Sequence, residues 1–386
     1  MMVIFAALAL FWLISSLFHV ASMGLVARRL SHGRRPLEVR RGGGLVSLVR
    51  PVCSIDPHIV AALTSGFVLD DPAYELIFCA HASDDQAVPV VQRLMADYPG
   101  VPAKLLVGDT ISSGNPKLDN IAKSWPELAG EWVVFCDDNI VLPVNYLSQL
   151  FEVWGPNTGV VSSIHVGSEP ADFGAEVECA FLNGYQARWH IFATVANHGF
   201  AHGKTMMLRR RDLADFGGIE GLGSEIAEDV AVTKFCRARG LAVNALRLPV
   251  VQPIGRRSGA EVFYRQSRWA RVRRSCYPLA YVLELLSGGL FPIVAAGVLA
   301  HLMGVPVVYA VIGQALFWYV SELIFLAIAG WHLTWLTLPA SIVRDMMIPV
   351  IWLSAWRNGS FKWRDRTMQT GLAAVGEASS PARVTR

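Results

Sequence analysis

Hydrophobic and polar positions divide the chain into three zones. Residues 3–26 form one apolar stretch, and no charged side chain occurs before Arg28. A helix of this length can cross the ~30 Å hydrocarbon core of a bilayer. A cleaved signal peptide is the alternative, but no basic segment precedes the stretch, which is also longer than the apolar part of a signal peptide. The pattern therefore predicts a retained N-terminal transmembrane anchor.

Short apolar runs alternate with helix-length segments through the middle zone. The runs predict strands at 45–51, 74–80, 103–107 and 132–136, with helices at 57–69, 87–97, 116–125 and 145–154. Continuous apolar runs are typical of strands buried on both faces of a parallel sheet. The alternation of strands and helices favours the α/β class. We therefore expect a mostly parallel sheet flanked by helices.

The third zone returns to long apolar stretches. Two of them have a spanning length and contain one acid each: 279–303 with Glu284, and 305–329 with Glu322. A further stretch at 333–356 is interrupted by Arg344-Asp345. Because a charged pair is costly in hydrocarbon, this segment either lies at the interface or packs the pair inward. We expect two C-terminal spans and an interfacial helix, with a third span as the alternative.

Composition supports a membrane protein. The hydrophobic share of 53% and the charged share of 17% lie on the membrane side of ordinary usage. A net charge of +3 is too small to indicate nucleic-acid binding. Six scattered cysteines without a C-x-x-C pair suit reduced thiols in the cytosol. Arginines follow the anchor at positions 28, 29, 34, 35, 40 and 41, so the positive-inside rule places the following domain in the cytoplasm.

These patterns predict an integral protein of the inner or cell membrane with five parts. They are an anchor at 1–27, a basic cytoplasmic linker at 28–44, a cytoplasmic α/β domain at 45–276, transmembrane and interfacial helices at 277–356, and a basic cytoplasmic tail at 357–386.

Four polar clusters follow one another along the chain. They are Asp84-Asp85, Asp137-Asp138-Asn139, Glu228-Asp229 and Arg265-Gln266-Ser267-Arg268-Trp269. Ligands of open α/β sheets bind outside the carboxyl ends of strands, where the first two clusters fall. Ordinary chemistry explains each cluster as well, since Asp and Asn favour turns and carboxylates favour helix N-termini. Arginines before a membrane span also bind lipid headgroups, the role that we assign to Arg271, Arg273 and Arg274.

The ordered set of motifs resembles the ceramide glucosyltransferases, glycosyltransferase family 21, in its bacterial branch. The matching segments are 46–51, 74–85, Asn115-Pro-Lys-Leu-Asp-Asn, Phe135-Cys-Asp-Asp-Asn-Ile, Gly203-Lys-Thr-Met, Ala227-Glu-Asp-Val and Arg265-Gln-Ser-Arg-Trp. The likeness continues into Ile342-Val-Arg-Asp and Leu353-Ser-Ala-Trp near the C-terminus. It implies a GT-A fold that carries the family signature D, D, D, (Q/R)-x-x-R-W.

The resemblance also implies roles for the aspartates. Asp85, with Asp84 as the adjacent candidate, would contact the uracil or ribose of a UDP-sugar. Asp137 would bind Mg²⁺ or Mn²⁺, which prefer oxygen ligands. Asn139 stands where a strict D-x-D motif has its second aspartate, so that either Asn139 or Asp138 completes the metal site. Asp229 would remove the proton from the acceptor hydroxyl.

Basic and aromatic residues complete the expected site. Arg265 and Arg268 would bind the diphosphate, because guanidinium groups bridge phosphate oxygens. The indole of Trp269 would pack beneath the sugar or the acceptor. Lys117 opens a predicted helix and Lys204 follows a glycine, so both are further phosphate candidates. Each lysine would otherwise be an ordinary surface residue.

We therefore expect an inverting, metal-dependent transferase that moves glucose or a related sugar from a UDP-sugar to the primary hydroxyl of ceramide. Its partners would be the UDP-sugar and a membrane lipid, and no nucleic acid is expected. A hopanoid or another polar lipid is the alternative acceptor. A non-catalytic lipid-binding scaffold with the same fold is an alternative of another class, because fold alone does not establish function.

Overall fold

The computed structural model describes residues 2–34, 43–53, 57–71, 73–108, 115–357, 360–363 and 366–369. Residues 35–42 of the expected basic linker and 370–386 of the expected tail lie outside the described residues. The first half of the described chain contains α1 (Met2–Gly33), β1 (Val46–Val52), α2 (Ile59–Phe67), β2 (Tyr74–Ala80), α3 (Ala87–Asp97), β3 (Ala103–Val107), α4 (Pro116–Ala122), β4 (Trp132–Cys136), α5 (Tyr146–Glu152), β5 (Thr158–Ser162) and β6 (His165–Pro170).

The second half begins with α6 (Phe173–Ala180), a π-helix (Phe181–Ala187) and α7 (Arg188–Val195). It continues with β7 (Thr205–Arg209), α8 (Arg210–Asp215), α9 (Gly218–Gly221), α10 (Glu228–Ala238), β8 (Ala242–Ala245), β9 (Val250–Gly255) and α11 (Gly259–Cys276). The last elements are α12 (Pro278–Glu284), α13 (Leu290–Leu302), α14 (Val307–Ala329), α15 (Thr337–Ala355), β10 (Ser360–Trp363) and β11 (Arg366–Gln369).

The predicted mostly parallel sheet is confirmed. Seven strands lie in the order β3-β2-β1-β4-β7-β5-β8. β1 pairs in parallel with β2 and β4, and β2 pairs in parallel with β3, whereas β7 runs antiparallel to β4 and β5. Every residue of β1, β2 and β4 is buried, as their continuous apolar runs predicted. A separate parallel pair, β6 with β9, lies beside this sheet.

Side-chain caps define the starts of α4 and α11, the helices that carry Lys117 and the arginine motif. The Asn115 side chain accepts hydrogen bonds from the backbone N–H groups of Lys117 and Leu118, and Pro116 occupies the first turn of α4. A proline there loses no helical hydrogen bond. Ser258 and Glu261 form a reciprocal capping box at the start of α11. These caps fix where the helices that carry Lys117 and the arginine motif begin.

Within the described ranges, three helices are long and apolar enough to cross a membrane by length and composition: α1, α14 and α15. The stretch 279–303, which we expected to be one span, is divided into the short helices α12 and α13. The division falls at Gly288-Gly289, where the Gly289 N–H donates to Asp345 Oδ2 at 2.8 Å. A Cβ at Gly289 would lie 2.7 Å from the Trp318 ring. Close packing against α14 and α15 thus sets the break.

The charged pair in α15 packs inward, which was the alternative to an interfacial helix. Arg344 Nη1 and Nη2 contact the two carboxylate oxygens of Glu322 in α14 at 2.5 and 3.0 Å. Arg344 Nε also donates to Asp345 Oδ1 at 2.9 Å. All three side chains are buried. A Cβ at Gly184 of the π-helix would lie 2.1 Å from Glu322, so glycine is required for that approach.

We predict that Arg344→Ala strongly destabilises the protein, because two carboxylates would remain buried without their counterion. Loss of one partner of a buried ion pair costs about 3–5 kcal/mol. The matched control is Met346→Ala, since Met346 lies in the same helix with an exposed side chain. Thermal unfolding in detergent should show a large decrease in the midpoint for Arg344→Ala alone. Equal midpoints for both variants would contradict the inferred role of the pair.

Candidate active site

The carboxyl ends of the parallel strands bring two predicted clusters to one edge of the sheet. Asp137, Asp138 and Asn139 directly follow β4, and Asp84 and Asp85 lie in the loop between β2 and α3. β1 lies between β2 and β4, so one strand separates the two clusters. The predicted position of both clusters outside strand ends is therefore observed.

Asp85 has a local structural contact. Its Oδ1 accepts a hydrogen bond from the Ala87 N–H at 2.9 Å, next to the start of α3. The Asp84 side chain is exposed. The turn chemistry that we considered for this pair is therefore present at Asp85, and contact with a nucleotide stays a prediction for both residues.

Asp137 lies between the two predicted lysines. Lys117 Nζ is 2.7 Å from Asp137 Oδ1, and Lys204 Nζ is 3.1 Å from Oδ2. The two ammonium groups outweigh the effect of burial and hold the pKa of Asp137 well below its usual range. Both lysines are largely buried rather than solvated, with side-chain exposures of 12% and 10%. They therefore supply positive charge at the end of β4.

Lys117 also connects the Glu228-Asp229 motif to Asp137. Its Nζ contacts Glu228 Oε1 at 2.7 Å and donates to the carbonyl oxygen of Gly203 at 2.5 Å. The charges of Asp137 and Glu228 outweigh burial and raise the pKa of Lys117 above its usual value. The sequence reasoning missed this role of Glu228, which it treated only as a neighbour of Asp229. Its position beside a predicted base was the available signal.

The Asp229 carboxylate lies at the start of α10 and contacts the loop before β7 that contains Gly203. Asp229 Oδ2 accepts from the Gly203 N–H at 2.9 Å, and Oδ1 accepts from the Val230 N–H at 2.8 Å. A Cβ at Gly203 would lie 2.9 Å from Glu228 Oε1, so a glycine permits this close approach. Burial, followed by the charge of Glu228, raises the pKa of Asp229 to about 6. Such a carboxyl can exchange protons near neutral pH.

Asp138 and Asn139 complete a set of oxygen donors after β4. Asp138 Oδ2 accepts from the Cys53 N–H at 3.0 Å, and Asn139 Oδ1 accepts from Lys204 Nζ at 3.0 Å. Burial and the charge of Asp137 raise the pKa of Asp138 to about 6. A cation would relieve this repulsion, so the donor set fits Mg²⁺ or Mn²⁺. No three His, Cys, Asp or Glu side chains in the described ranges are grouped to hold a metal by themselves.

Arg50 binds the backbone of the loop that follows β4. The sequence did not lead us to predict this role. Arg50 Nη2 donates to the carbonyl oxygens of Asp137 and Ile140 at 2.9 and 3.0 Å, and its Nη1 donates to the Ala62 carbonyl at 2.7 Å. The side chain is completely buried in β1. A lone arginine within an apolar strand was the available signal, because a buried charge requires dedicated partners.

The arginine motif of α11 lies against the same site. Arg265 Nε is 3.6 Å from Glu178 Oε1, and Glu178 is fully buried in α6. Burial and the charge of Arg265 lower the pKa of Arg268, whereas Asp137 and Glu178 act in the opposite direction. Arg268 is therefore electrostatically coupled to the cluster at β4. Sequence reasoning missed Glu178, because nothing in the pattern of α6 separates it from a surface acid.

Trp269 packs on the apolar surface beneath this motif. Its contacts are Ala175, Cys179, Leu182 and Ile254. The Arg265 guanidinium lies 6.0 Å from the centre of the Trp269 ring. The structure thus holds α11 against α6 and β9 through the indole, and contact of Trp269 with a sugar or acceptor remains a prediction.

We predict that Lys117→Met destabilises the fold most at neutral pH. Lys117 keeps the pKa of Asp137 below its ordinary value of 3.8, so this stabilisation is present above that value and is lost as the pH falls. The expected loss near pH 7 is about 3–5 kcal/mol, as for other broken buried pairs. Lys234→Met is the control, because Lys234 pairs with Glu225 on the surface. Thermal unfolding should show a difference between the variants that persists from pH 7 to about pH 4 and narrows only as the pH falls below 3.8; a difference that stays constant at still lower pH would contradict this account.

Comparisons with known proteins identify relatives of this chain. Ceramide glucosyltransferase 3 from Caenorhabditis elegans is 25% identical over 367 residues, covering 89% of this chain and 78% of the relative. Ceramide glucosyltransferase 1 from the same organism is 26% identical over 367 residues, covering 90% and 77%. The mannosyltransferase PcManGT from Pyrobaculum calidifontis, solved with GDP-Man and Mn²⁺, has a similar structure with a TM-score of 0.52 at 16% identity, covering 88% of this chain and 99% of that chain.

The structural likeness supports the expected GT-A fold with apolar helices at both ends. The model of the family described as Glycosyl transferase family 21 matches residues 4–373. Since that match includes nearly the whole chain, the protein belongs to glycosyl transferase family 21.

Proposed function

We propose that this family member is an inverting transferase that moves glucose, or a related sugar, from a UDP-sugar to the primary hydroxyl of ceramide. The observation that carries the proposal is the meeting of Asp137, Lys117, Lys204 and Asp229 at one edge of the sheet. The family match and the relatives named ceramide glucosyltransferases support the substrate class.

The donor diphosphate would bind at the end of β4. Lys117 and Lys204 place two ammonium groups there, and Arg268 lies within electrostatic range of Asp137. Asp137, Asp138 and Asn139 would hold Mg²⁺ or Mn²⁺, which would help to neutralise the charge of the departing nucleotide. The PcManGT structure with Mn²⁺ and GDP-Man is in line with this assignment. Asp85 or Asp84 would contact the uridine from the neighbouring strand end.

Asp229 would act as the general base. Two backbone N–H groups fix the orientation of its carboxylate, and its raised pKa allows it to accept a proton from an attacking hydroxyl. The acceptor oxygen would attack the anomeric carbon as its proton moves to Asp229 and the UDP departs. Lys117 and Glu228 would keep the Asp229 loop in place through Gly203.

The reaction would take place at the cytoplasmic face of the membrane. Three candidate membrane helices in the described part of the chain accompany the α/β domain, and α11 leads directly into α12 and the apolar helices after it. The arginines that follow the anchor favour the cytoplasmic side under the positive-inside rule. A lipid headgroup can reach a site in this position without leaving the bilayer.

We expect Asp229→Asn to lower kcat for sugar transfer by about 10²–10⁴, the usual contribution of a general base. Affinity for UDP should change little, because Asp229 does not belong to the proposed diphosphate site. The matched control is Asp215→Asn, an exposed residue that pairs with Arg239. The assay uses purified protein in nanodiscs with labelled UDP-glucose and ceramide, and mass spectrometry of the lipid product.

Each outcome of that assay has a clear meaning. Full activity of Asp229→Asn would remove Asp229 as the base. Product formation only with a hopanoid would move the proposal to the alternative acceptor. If wild-type protein transfers no sugar to either lipid from any UDP-hexose, the catalytic proposal is wrong and the scaffold alternative is supported.

The rate of transfer should depend on pH through Asp229. Because its pKa in the folded protein is about 6, the base is protonated and inactive below that value and ionised above it. The rate should therefore rise between about pH 5 and pH 7 and then level off. Asp138 has a similar pKa, but saturating Mn²⁺ should suppress its contribution, because the cation competes with its proton. A flat profile in saturating Mn²⁺ would contradict the assignment.

A further inference from the structure

Length and hydropathy make α15 a candidate membrane span, like α1 and α14. A helix of 19 residues is about 28 Å long, which is close to the thickness of the hydrocarbon core. If α15 crossed the bilayer, its two ends would lie at opposite faces of the membrane. The position of each end relative to the α/β domain therefore separates a spanning helix from one that lies in the membrane surface.

The start of α15 is bound to α6 of the α/β domain. In the segment before α15, Thr334 Oγ1 donates to Glu176 Oε1 at 2.9 Å, and His332 Nε2 lies 3.0 Å from the same oxygen. Further along the helix, Arg344 Nη1 donates to the carbonyl oxygen of Ala180, at the end of α6, at 3.2 Å. The first part of α15 therefore runs along α6 and not away from the domain.

The end of α15 contacts the same domain. Ser354 Oγ donates to Ser267 Oγ of the arginine motif at 3.2 Å. Trp356 directly follows α15, and the Arg274 guanidinium lies 5.4 Å from the centre of its ring. Ser267 and Arg274 both belong to α11. Both ends of α15 therefore lie on the side of the membrane that holds the α/β domain.

The neighbouring membrane helices define that side independently. Arg29, near the end of α1, donates to the carbonyl oxygen of Ala245 in β8 at 3.0 Å. Arg34, directly after α1, donates to the carbonyl oxygen of Ile328 near the end of α14 at 3.1 Å. The ends of α1 and α14 therefore both lie beside the domain, and the turn at 303–306 closes the opposite end of the α13–α14 hairpin.

The middle of α15 lies at the domain end of this hairpin. Asp345 Oδ2 accepts from the Gly289 N–H, directly before α13, at 2.8 Å. Arg344 pairs with Glu322 in the second half of α14. A charged pair that packs inward does not require a spanning helix, because its partners lie at the level where α13 begins.

The outer face of α15 is an apolar stripe. Positions spaced by three or four residues share one face of a helix. The exposed residues with this spacing are Leu338, Ile342, Met346, Val350 and Leu353. The stripe therefore runs along the whole helix on the side opposite to Arg344 and Asp345, which are buried.

The short helix α12 extends this apolar surface. Trp352 Nε1 of α15 donates to the carbonyl oxygen of Tyr281 at 3.0 Å. We expected Arg273 to bind lipid headgroups, but its Nε and Nη2 contact the Glu284 carboxylate at 2.8 and 2.5 Å, which joins α11 to α12. α12 is thus held between α11 and α15. Its large apolar side chains that remain most exposed are Leu279 and Leu283.

We propose that α15 lies in the surface of the leaflet next to the α/β domain and does not cross the bilayer. The acyl chains of that leaflet cover the apolar stripe of α15 and the exposed leucines of α12. Apolar helix faces of this kind bind in the plane of a membrane surface. The charged pair stays among protein groups on the inner face, and the chain after α15 remains on the side of the domain.

The charge of the C-terminal segment supports this arrangement from the sequence. Residues 357–366 contain Arg357, Lys362, Arg364 and Arg366 with one acid, Asp365. The positive-inside rule keeps such a segment on the same side as the arginines that follow α1. A spanning α15 would place the two basic segments on opposite sides of the membrane.

The side of the segment after α15 can be measured with a membrane-impermeant maleimide. Serine replaces Cys53 and Cys276, the cysteines that are not buried, and then Arg357→Cys is introduced. Asp215→Cys marks the side of the domain, because Asp215 is exposed there, and Val3→Cys at the start of α1 marks the opposite side. Intact cells and inverted membrane vesicles are labelled separately.

We expect Arg357→Cys to react in the same preparation as Asp215→Cys. Reaction of Arg357→Cys together with Val3→Cys would show that α15 crosses the bilayer and would overturn the proposal. The thermal unfolding midpoint of each variant, compared with that of the cysteine-reduced parent, checks that the fold is unchanged.

The depth of the stripe is a second test. Nitroxide labels on Leu338→Cys, Met346→Cys and Leu353→Cys, in the same background in nanodiscs, are probed by collision with oxygen and with a water-soluble nickel chelate. A helix in the membrane surface gives all three labels a similar depth within the hydrocarbon. A spanning helix places the Met346 label about 10 Å deeper than the other two, from the rise of 1.5 Å per residue.

The matched control is α14, labelled through Val308→Cys and Val320→Cys on its exposed side. These labels should differ clearly in depth, because α14 runs from the far turn to the domain. A Met346 label deeper than both of its neighbours would overturn the proposal, and so would three α15 labels that are all open to the nickel chelate. Neither test uses sugar transfer, so this proposal can fail while the proposed function stands.

Discussion

One buried ammonium group connects the separate motifs of this protein. Lys117 contacts Asp137 after β4, Glu228 at the start of α10 and the carbonyl of Gly203 before β7. These residues come from distant parts of the sequence, and none of the carboxylates would be stable there without a counterion. The same cation therefore fixes the distance between the proposed metal site at β4 and the proposed base at α10.

The second constraint joins this site to the membrane. The π-helix carries Gly184 against the Arg344–Glu322 pair of the membrane helices and Gln186 against Gln266 of the arginine motif. Rigid packing between these parts keeps the proposed active site at a defined place relative to α15. The proposed transfer to a lipid needs this arrangement, because its two substrates would arrive from different phases.

Local sequence patterns predicted the helices and strands. Contacts between distant residues determine where some helices break and which side chains meet at the candidate site. The strands 74–80 and 132–136 were predicted at their observed bounds, because continuous apolar runs report burial on both faces. The strand 103–107 also has its predicted bounds, although it lies at the edge of the sheet and is only partly buried. The positions of Asp137 and Asp229 followed from motif order. Hydropathy could not show that 279–303 is two helices, since the break depends on the packing of Gly289 against Trp318. Equally, no sequence pattern distinguishes Glu178 from a surface acid, because its partner Arg265 lies far away along the chain. For Glu228 the available signal was its position beside Asp229, which did not reveal its contact with Lys117.

The most direct test is a structure determined with UDP-glucose and Mn²⁺. The account predicts the cation bonded to an Asp137 oxygen, the diphosphate beside Lys117 and Lys204, and the anomeric carbon facing Asp229. A nucleotide bound elsewhere, with Asp137 still held only by the two lysines, would contradict it.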